Sequence, residues 1–224
     1  MRNVKCYLEI INRNPKIDVL RVFRFSSNNK VQDRERNSSN RNMGIINRAL
    51  YEKERKGSSF WESLFSLAEG GEVLDKCFMK NALFHNKNET YTHLTKVDFL
   101  NFISSDIHED VAINSKVILS DGSERHIPML DFKIKSNNQN LKVVKDVLHI
   151  LGLKGYIFDS GKSYHFVGYN LITESELLDL LAYFILLQPI SDKAWATHQI
   201  LERSASLRLS KKYGQYPELI ECIN

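Results

Sequence analysis

The sequence is short of the features that mark the commonest special classes. Its three cysteines, Cys6, Cys77 and Cys222, are odd in number and far apart, and no CxxC pair or Cys/His ligand spacing occurs. Neither a disulfide framework nor a zinc site follows from them, and reduced thiols in a cytoplasmic protein are the expectation. No apolar run is long enough to span a bilayer. The most membrane-like one, Leu177 to Ile190, is too short and carries Asp179 and Gln188, so it reads as a buried helix. The run after Met1-Arg2-Asn3-Val4-Lys5 is soon interrupted by Asn12 and Arg13, so no signal peptide is expected. Charge of one sign is scarce too. A net charge of +4, with 42% hydrophobic and 26% charged residues, describes an ordinary globular chain and permits a polyanionic partner without requiring one. The 224 residues suit one large domain or two small ones.

What is present changes character along the chain. Lys5 to Ile11 and Ile17 to Phe25 are rich in strand formers around Asn12-Arg13-Asn14-Pro15, which predicts a hairpin. Residues 26 to 42 are polar and basic and read as a loop. Helical spacing follows over Ile45 to Lys56, with Ile46 and Leu50 inward and Gly57 as the stop. Ser59 and Glu62 form a capping box for a second helix, and Thr95 with Asp98 opens a third. Residues 72 to 94 are ambiguous. Residues 1–110 are therefore expected to be an accessory region, helical with one hairpin, beside a core at 111–224 or continuous with it.

In that core, Lys116 to Leu119 and Glu124 to Ile134 are strand-like around Ser120-Asp121-Gly122-Ser123. Gln139 to Leu151 is amphipathic, Tyr156 to Phe158 and Ser163 to Leu171 are strands, and Thr173 with Glu176 caps the helix 174–188. Ser191 is read as the cap of one more helix, and Leu207 to Leu209 and Leu219 to Ile223 as final strands. The order predicts an α+β fold, an open sheet with helices on one face.

Two short pieces carry chemistry. One strand runs through Asp131 and Lys133, which alternation puts on one face. A later one opens Ser160-Gly161-Lys162-Ser163-Tyr164-His165, where Ser163 and His165 share a side. Gly161-Lys162-Ser163 is not a P-loop, because Tyr156 stands where that motif needs glycine and a strand follows instead of a helix. Asp192 and a basic segment with Arg203, Arg208, Lys211 and Lys212 come later.

An acid-ended strand, a helix, a Ser-x-His strand, a helix, an acid and a basic Leu-Arg-Leu-Ser segment resemble the catalytic core of the archaeo-eukaryotic primase superfamily, over roughly residues 115 to 215. The resemblance implies a primase-like sheet with RRM-like β-α-β-β units. It implies divalent metal on Asp131 and Asp192, which would be the catalytic acids. It also implies nucleotide phosphates on Ser163, His165 and Arg208, with Lys133, Lys162 and Lys211 as further phosphate-binding candidates. The family's first motif is a pair of acids, and Lys133 stands in the second place. Two-metal transfer needs carboxylates that bridge both ions, so at most one Mg²⁺ or Mn²⁺ is expected. The expected function is binding of a nucleoside triphosphate or nucleic acid, with weak or absent nucleotidyltransferase activity. An active primase or polymerase with a reduced metal site is the alternative, and a protein-interaction subunit the third reading. Membrane is not an expected partner.

Overall fold

A computed structural model describes residues 2–25, 42–69, 91–107, 109–211 and 214–224. The chain divides into two compact units, Met1–Phe25 with Lys87–Asn224, and Ser26–Asn86. The span 1–110 thus belongs partly to each.

Within the smaller unit, helices Met43–Lys56 and Phe60–Glu69 enclose Ile45, Ile46, Ala49 and Leu64. The capping box is formed: Glu62 N–H donates to Ser59 Oγ at 3.1 Å, and Ser59 N–H donates back to the Glu62 carboxylate at 2.6 Å. Leu50, expected inward, is only half-buried. The loop expected at 26–42 and the ambiguous 72–94 lie mostly outside the described residues.

The larger unit is α+β. Numbered through the chain, its elements are α1 (Arg2–Arg13), β1 (Ile17–Arg24), β2 (Thr92–Thr95), α4 (Lys96–Ser104), β3 (Val111–Leu119), β4 (Glu124–His126), β5 (Met129–Asp131), α5 (Asn138–Ile150), β6 (Gly155–Asp159), β7 (Tyr164–Gly168), α6 (Glu174–Leu186), α7 (Lys193–Glu202), β8 (Ser206–Arg208) and β9 (Glu218–Ile223); the smaller unit supplies α2 and α3. All described strand pairs are antiparallel.

Three expectations change. The first predicted strand is the helix α1. Cys6, Tyr7, Ile10 and Ile11 are buried while Leu8 and Glu9 are exposed. That is a helical stripe, which the strand-forming composition concealed. Second, there are two sheets instead of one: β2-β1-β3-β4 with β8 also on β3, and β5-β7-β6-β9. Third, the expected strand Glu124–Ile134 is divided between them. At Ile127-Pro128 the chain leaves β3 and joins β7; proline cannot donate to a ladder, and its carbonyl accepts from Gly168 N–H at 2.8 Å.

Strands β6 and β7 of the second sheet are buried on both sides, whereas the edge strand β9 is half-buried to exposed. Leu130, Ile157 and Phe166 line one face and are fully enclosed, and the Phe132–Phe184 edge contact at 5.1 Å anchors α6 there. Such a pair adds about 1 kcal/mol beyond burial. Tyr156, Phe158 and Val167 fill the other face. β6 and β7 approach so closely that a Cβ on Gly155 would lie 2.3 Å from the Val167 carbonyl oxygen. The Thr173/Glu176 box opens α6 as expected. No described helix is long and apolar enough to cross a membrane.

Candidate functional site

Strand pairing dictates the centre of the site. Asp131 on β5 is directly opposite His165 on β7, and Phe158 on β6 is opposite His165 in turn. All three point to one side of the sheet. His165 Nε2 lies 3.6 Å from Asp131 Oδ1, with the imidazole buried and the carboxylate half-buried.

The turn between β6 and β7 builds the neighbouring wall. Asp159 Oδ1 accepts from Gly161 N–H at 2.7 Å, and Gly161 takes φ +94°, which only glycine adopts without strain. The far side of Asp159 accepts from the Ser136 hydroxyl. Ser160 N–H donates to the Ser163 carbonyl at 2.9 Å, and the two hydroxyls lie 3.2 Å apart. Ser163 therefore faces Ser160 just before the strand that carries His165.

Arg208 arrives from the other sheet. On β8 it is paired with Ala112 of β3, and β8 also packs beside β5. Its Nη2 donates to the Ser160 carbonyl at 3.0 Å and its Nη1 to the Ser210 carbonyl. Burial pushes its pKa down from the usual guanidinium value, while Asp131 and Asp110 oppose that shift. Arg208 is thus held by neutral carbonyls with a carboxylate in electrostatic range, a cation fixed in position before any ligand arrives. Ser163 and Arg208 both meet Ser160, while His165 and Asp131 pair with each other on the neighbouring strands.

The remaining predicted residues are disposed differently. Asp192 N–H donates to the Asp131 carbonyl at 3.1 Å, so the two acids are neighbours through the backbone. Its carboxylate, however, is the N-cap of α7 and accepts from Trp195 N–H at 3.0 Å. The cap is Asp192 and not Ser191, because the helix begins one residue later than the sequence suggested. Lys133 N–H donates to the Ile190 carbonyl at 2.8 Å, and its side chain is exposed beyond the buried Phe132. Lys162 is exposed at the turn. Lys211 is engaged elsewhere, with Nζ 3.2 Å from Asp106 Oδ1, which raises its pKa. Arg203 pairs with Glu174, its Nε at 2.7 Å. Lys212 lies outside the described residues.

Ser160 and Ser210 escaped the sequence reading because they act through carbonyls, which every residue has. The turn signal around Gly161 and the Leu-Arg-Leu-Ser segment pointed near them.

A second buried polar centre occupies the first sheet. Asn114, fully buried, accepts at Oδ1 from Arg21 Nη2 at 2.7 Å and donates at Nδ2 to the Ser204 and Ser206 hydroxyls, both at 3.0 Å. Beside it, Ser115 Oγ lies 2.9 Å from His126 Nδ1 and accepts from Ala205 N–H at 2.9 Å. The Arg21 guanidinium stacks 4.3 Å above the Tyr91 ring. Desolvation, helped by Lys116, lowers the His126 pKa from 6.5 to about 4, so its ring is neutral near pH 7.

The residues present do not fit a two-metal centre. Lys133 replaces one acid, Asp192 caps a helix, and among the described residues no group of three or more His, Cys, Asp or Glu side chains is placed to hold a metal. Compared with known families, residues 88–221 match the model described as AEP-like, archaeo-eukaryotic primase 1D-like. No curated protein and no solved structure matches the chain.

Proposed function

We propose, for a chain that belongs to the archaeo-eukaryotic primase-like family, that the larger unit binds the phosphates of a nucleoside triphosphate or of nucleic acid at Arg208, His165 and Ser163. In this reading it transfers nucleotidyl groups weakly or not at all. The observation that carries the proposal is the fixing of Arg208 between the carbonyls of Ser160 and Ser210, beside the Ser-x-His strand. A guanidinium held there keeps N–H groups for an anion and has already lost the freedom that binding would otherwise cost. His165 donates to phosphate through a ring N–H, and Asp131 orients it.

The acids support at most one divalent ion, Mg²⁺ or Mn²⁺, on Asp131 and Asp192. Such an ion would screen phosphate charge. The Lys133 ammonium, exposed two residues beyond Asp131, is a second source of positive charge for the same ligand.

Titration of the protein with a nucleoside triphosphate, with and without Mn²⁺, tests the reading. Binding that changes little with metal is expected, together with little primer synthesis. Lys133→Asp restores the paired acids and is expected to make binding metal-dependent. Robust Mg²⁺-dependent primer synthesis by the wild type would overturn the weak-transferase reading. Absence of triphosphate and oligonucleotide binding at low salt would favour an interaction subunit.

A further inference from the structure

Residues of α1, α4, the β6–β7 turn and β9 enclose a cavity of about 590 Å³, a size that suits a small organic ligand. Tyr7, Ile103, Ile107 and Leu209 give it an apolar side. Asp106, Asp159 and Glu218 are its charged residues, and its described lining holds no lysine, arginine or histidine. None of Asp131, Ser163, His165 or Arg208 borders it. It is a different compartment from the anion site, with the opposite sign of charge.

Two observations set the chemistry of its ligand. The first is Tyr7, which is 4% exposed and packs edge-on against Phe99 with ring centroids 5.5 Å apart. Its hydroxyl has no hydrogen-bond partner among the described residues. The oxygen is not sealed inside the core either, so the cavity is the space it meets. A buried hydroxyl without a partner costs stability until something pairs with it. Burial, with Cys6 adding to it, pushes the Tyr7 pKa up, so near pH 7 it is a neutral phenol whose oxygen accepts.

The second is a pair of acids. Asp159 on β6 and Glu218 on β9 are directly opposite in the ladder, and both line the cavity. Like charges in such positions repel. Asp159 accepts from Gly161 N–H at 2.7 Å and from the Ser136 hydroxyl, which are neutral donors, and it makes no ion pair among the described residues. Asp106 differs, because Lys211 pairs with it at 3.2 Å. Asp159 therefore brings negative charge that no described cation answers. The acids are not grouped to hold a metal ion, and they border an apolar surface.

We propose that this cavity binds a small organic cation, an ammonium or guanidinium that carries an apolar group. The charged head lies by Asp159, in the field that residue shares with Glu218, and the Tyr7 oxygen accepts from a donor on the same ligand. The apolar part covers Ile103, Ile107 and Leu209. A free molecule fits better than a partner's side chain, because the space exceeds what one lysine or arginine fills and Tyr7, Ile107 and Leu209 are buried.

The test titrates the full chain calorimetrically near pH 7 with phenethylamine, agmatine and spermidine, and with 2-phenylethanol as the neutral counterpart of the first. Three variants go with the wild type. Tyr7→Phe removes only the hydroxyl, Asp159→Asn keeps an acceptor for Gly161 N–H, and Gln215→Trp fills the cavity from an exposed position. Thermal unfolding of each is the folding control. At least one amine is expected to bind, and 2-phenylethanol to bind more weakly than phenethylamine. Asp159→Asn should weaken the bound amine by about tenfold or more and Tyr7→Phe by about threefold to tenfold, as charged and neutral hydrogen bonds allow. Gln215→Trp should abolish binding. The inference is overturned if no amine binds, if the alcohol binds as tightly as phenethylamine, or if affinity is unchanged in both Tyr7→Phe and Gln215→Trp. Those two variants decide the matter even where Asp159→Asn loosens the turn at Gly161.

Discussion

Among its described residues the larger unit holds two buried histidines beside serines and an arginine, and they do different things. In the first sheet, Asn114 receives Arg21 and gives to Ser204 and Ser206, while His126 rests on Ser115. These partners come from β1, β3, β4 and the segment entering β8, and the group cross-links the sheet it lies in. At the end of the second sheet, His165 faces a carboxylate, and Arg208 is hydrogen-bonded to two backbone carbonyls. A buried histidine is therefore no sign of a site by itself. The difference lies in the arginine, whose hydrogen-bond partners are backbone carbonyls at the edge of a sheet, with the Asp131 and Asp110 carboxylates only in electrostatic range.

The sharpest way to break this contrast is at Asn114. Asn114→Leu removes the shared partner of Arg21, Ser204 and Ser206 and should cost about 3 kcal/mol of unfolding free energy in urea titrations. Anion affinity of the molecules that remain folded should not change. Conversely, Arg208→Ala should weaken tripolyphosphate binding by about tenfold to a hundredfold. It should leave stability unchanged or higher, since a desolvated cation disappears.

The two histidines also part in their response to acid. Folded His126 stays neutral down to about pH 4, whereas in the unfolded chain it takes up a proton near pH 6.5. The unfolded state binds the extra proton between those values, so stability should fall as pH drops from about 6.5 to 4 and level off below. His126→Gln should flatten that part of the curve in denaturation midpoints read at several pH values, and a slope that survives would assign it to other groups. The smallest effect is expected at Arg203, an exposed residue paired with Glu174. Arg203→Ala should change oligonucleotide affinity by less than about twofold, where Arg208→Ala changes it most.

Where the sequence was legible, chemistry was local. The boxes Ser59/Glu62 and Thr173/Glu176 form as the spacing predicts, and Gly57 ends its helix at φ 66°. Asp131 and His165 were each visible as strand residues, and their chain order matched the family. Three things were hidden, and only some of them depend on partners distant in sequence. The stripe of α1 was masked by strand-forming composition. The passage at Ile127-Pro128 from one sheet to the other looked like one uninterrupted strand. The cap fell on Asp192, one residue after Ser191, and the engagement of Lys211 by Asp106 could not be foreseen from residue type.

That passage has a bearing on the order in which the molecule is assembled. β4 meets β3 across a tight turn, so this hairpin can form from neighbouring residues alone. β5 follows within three residues but must wait for α5 and β6 before β7 is there to receive it. Arg208 reaches Ser160 only across 48 residues of chain, after β8 has returned to β3. Contacts so far apart in sequence form late, because loop closure precedes any gain from them. Anion binding should accordingly be absent from early folding species and appear with the slowest refolding phase. A stopped-flow experiment with a fluorescent triphosphate would follow it, and the signal would serve as a clock for the docking of β8.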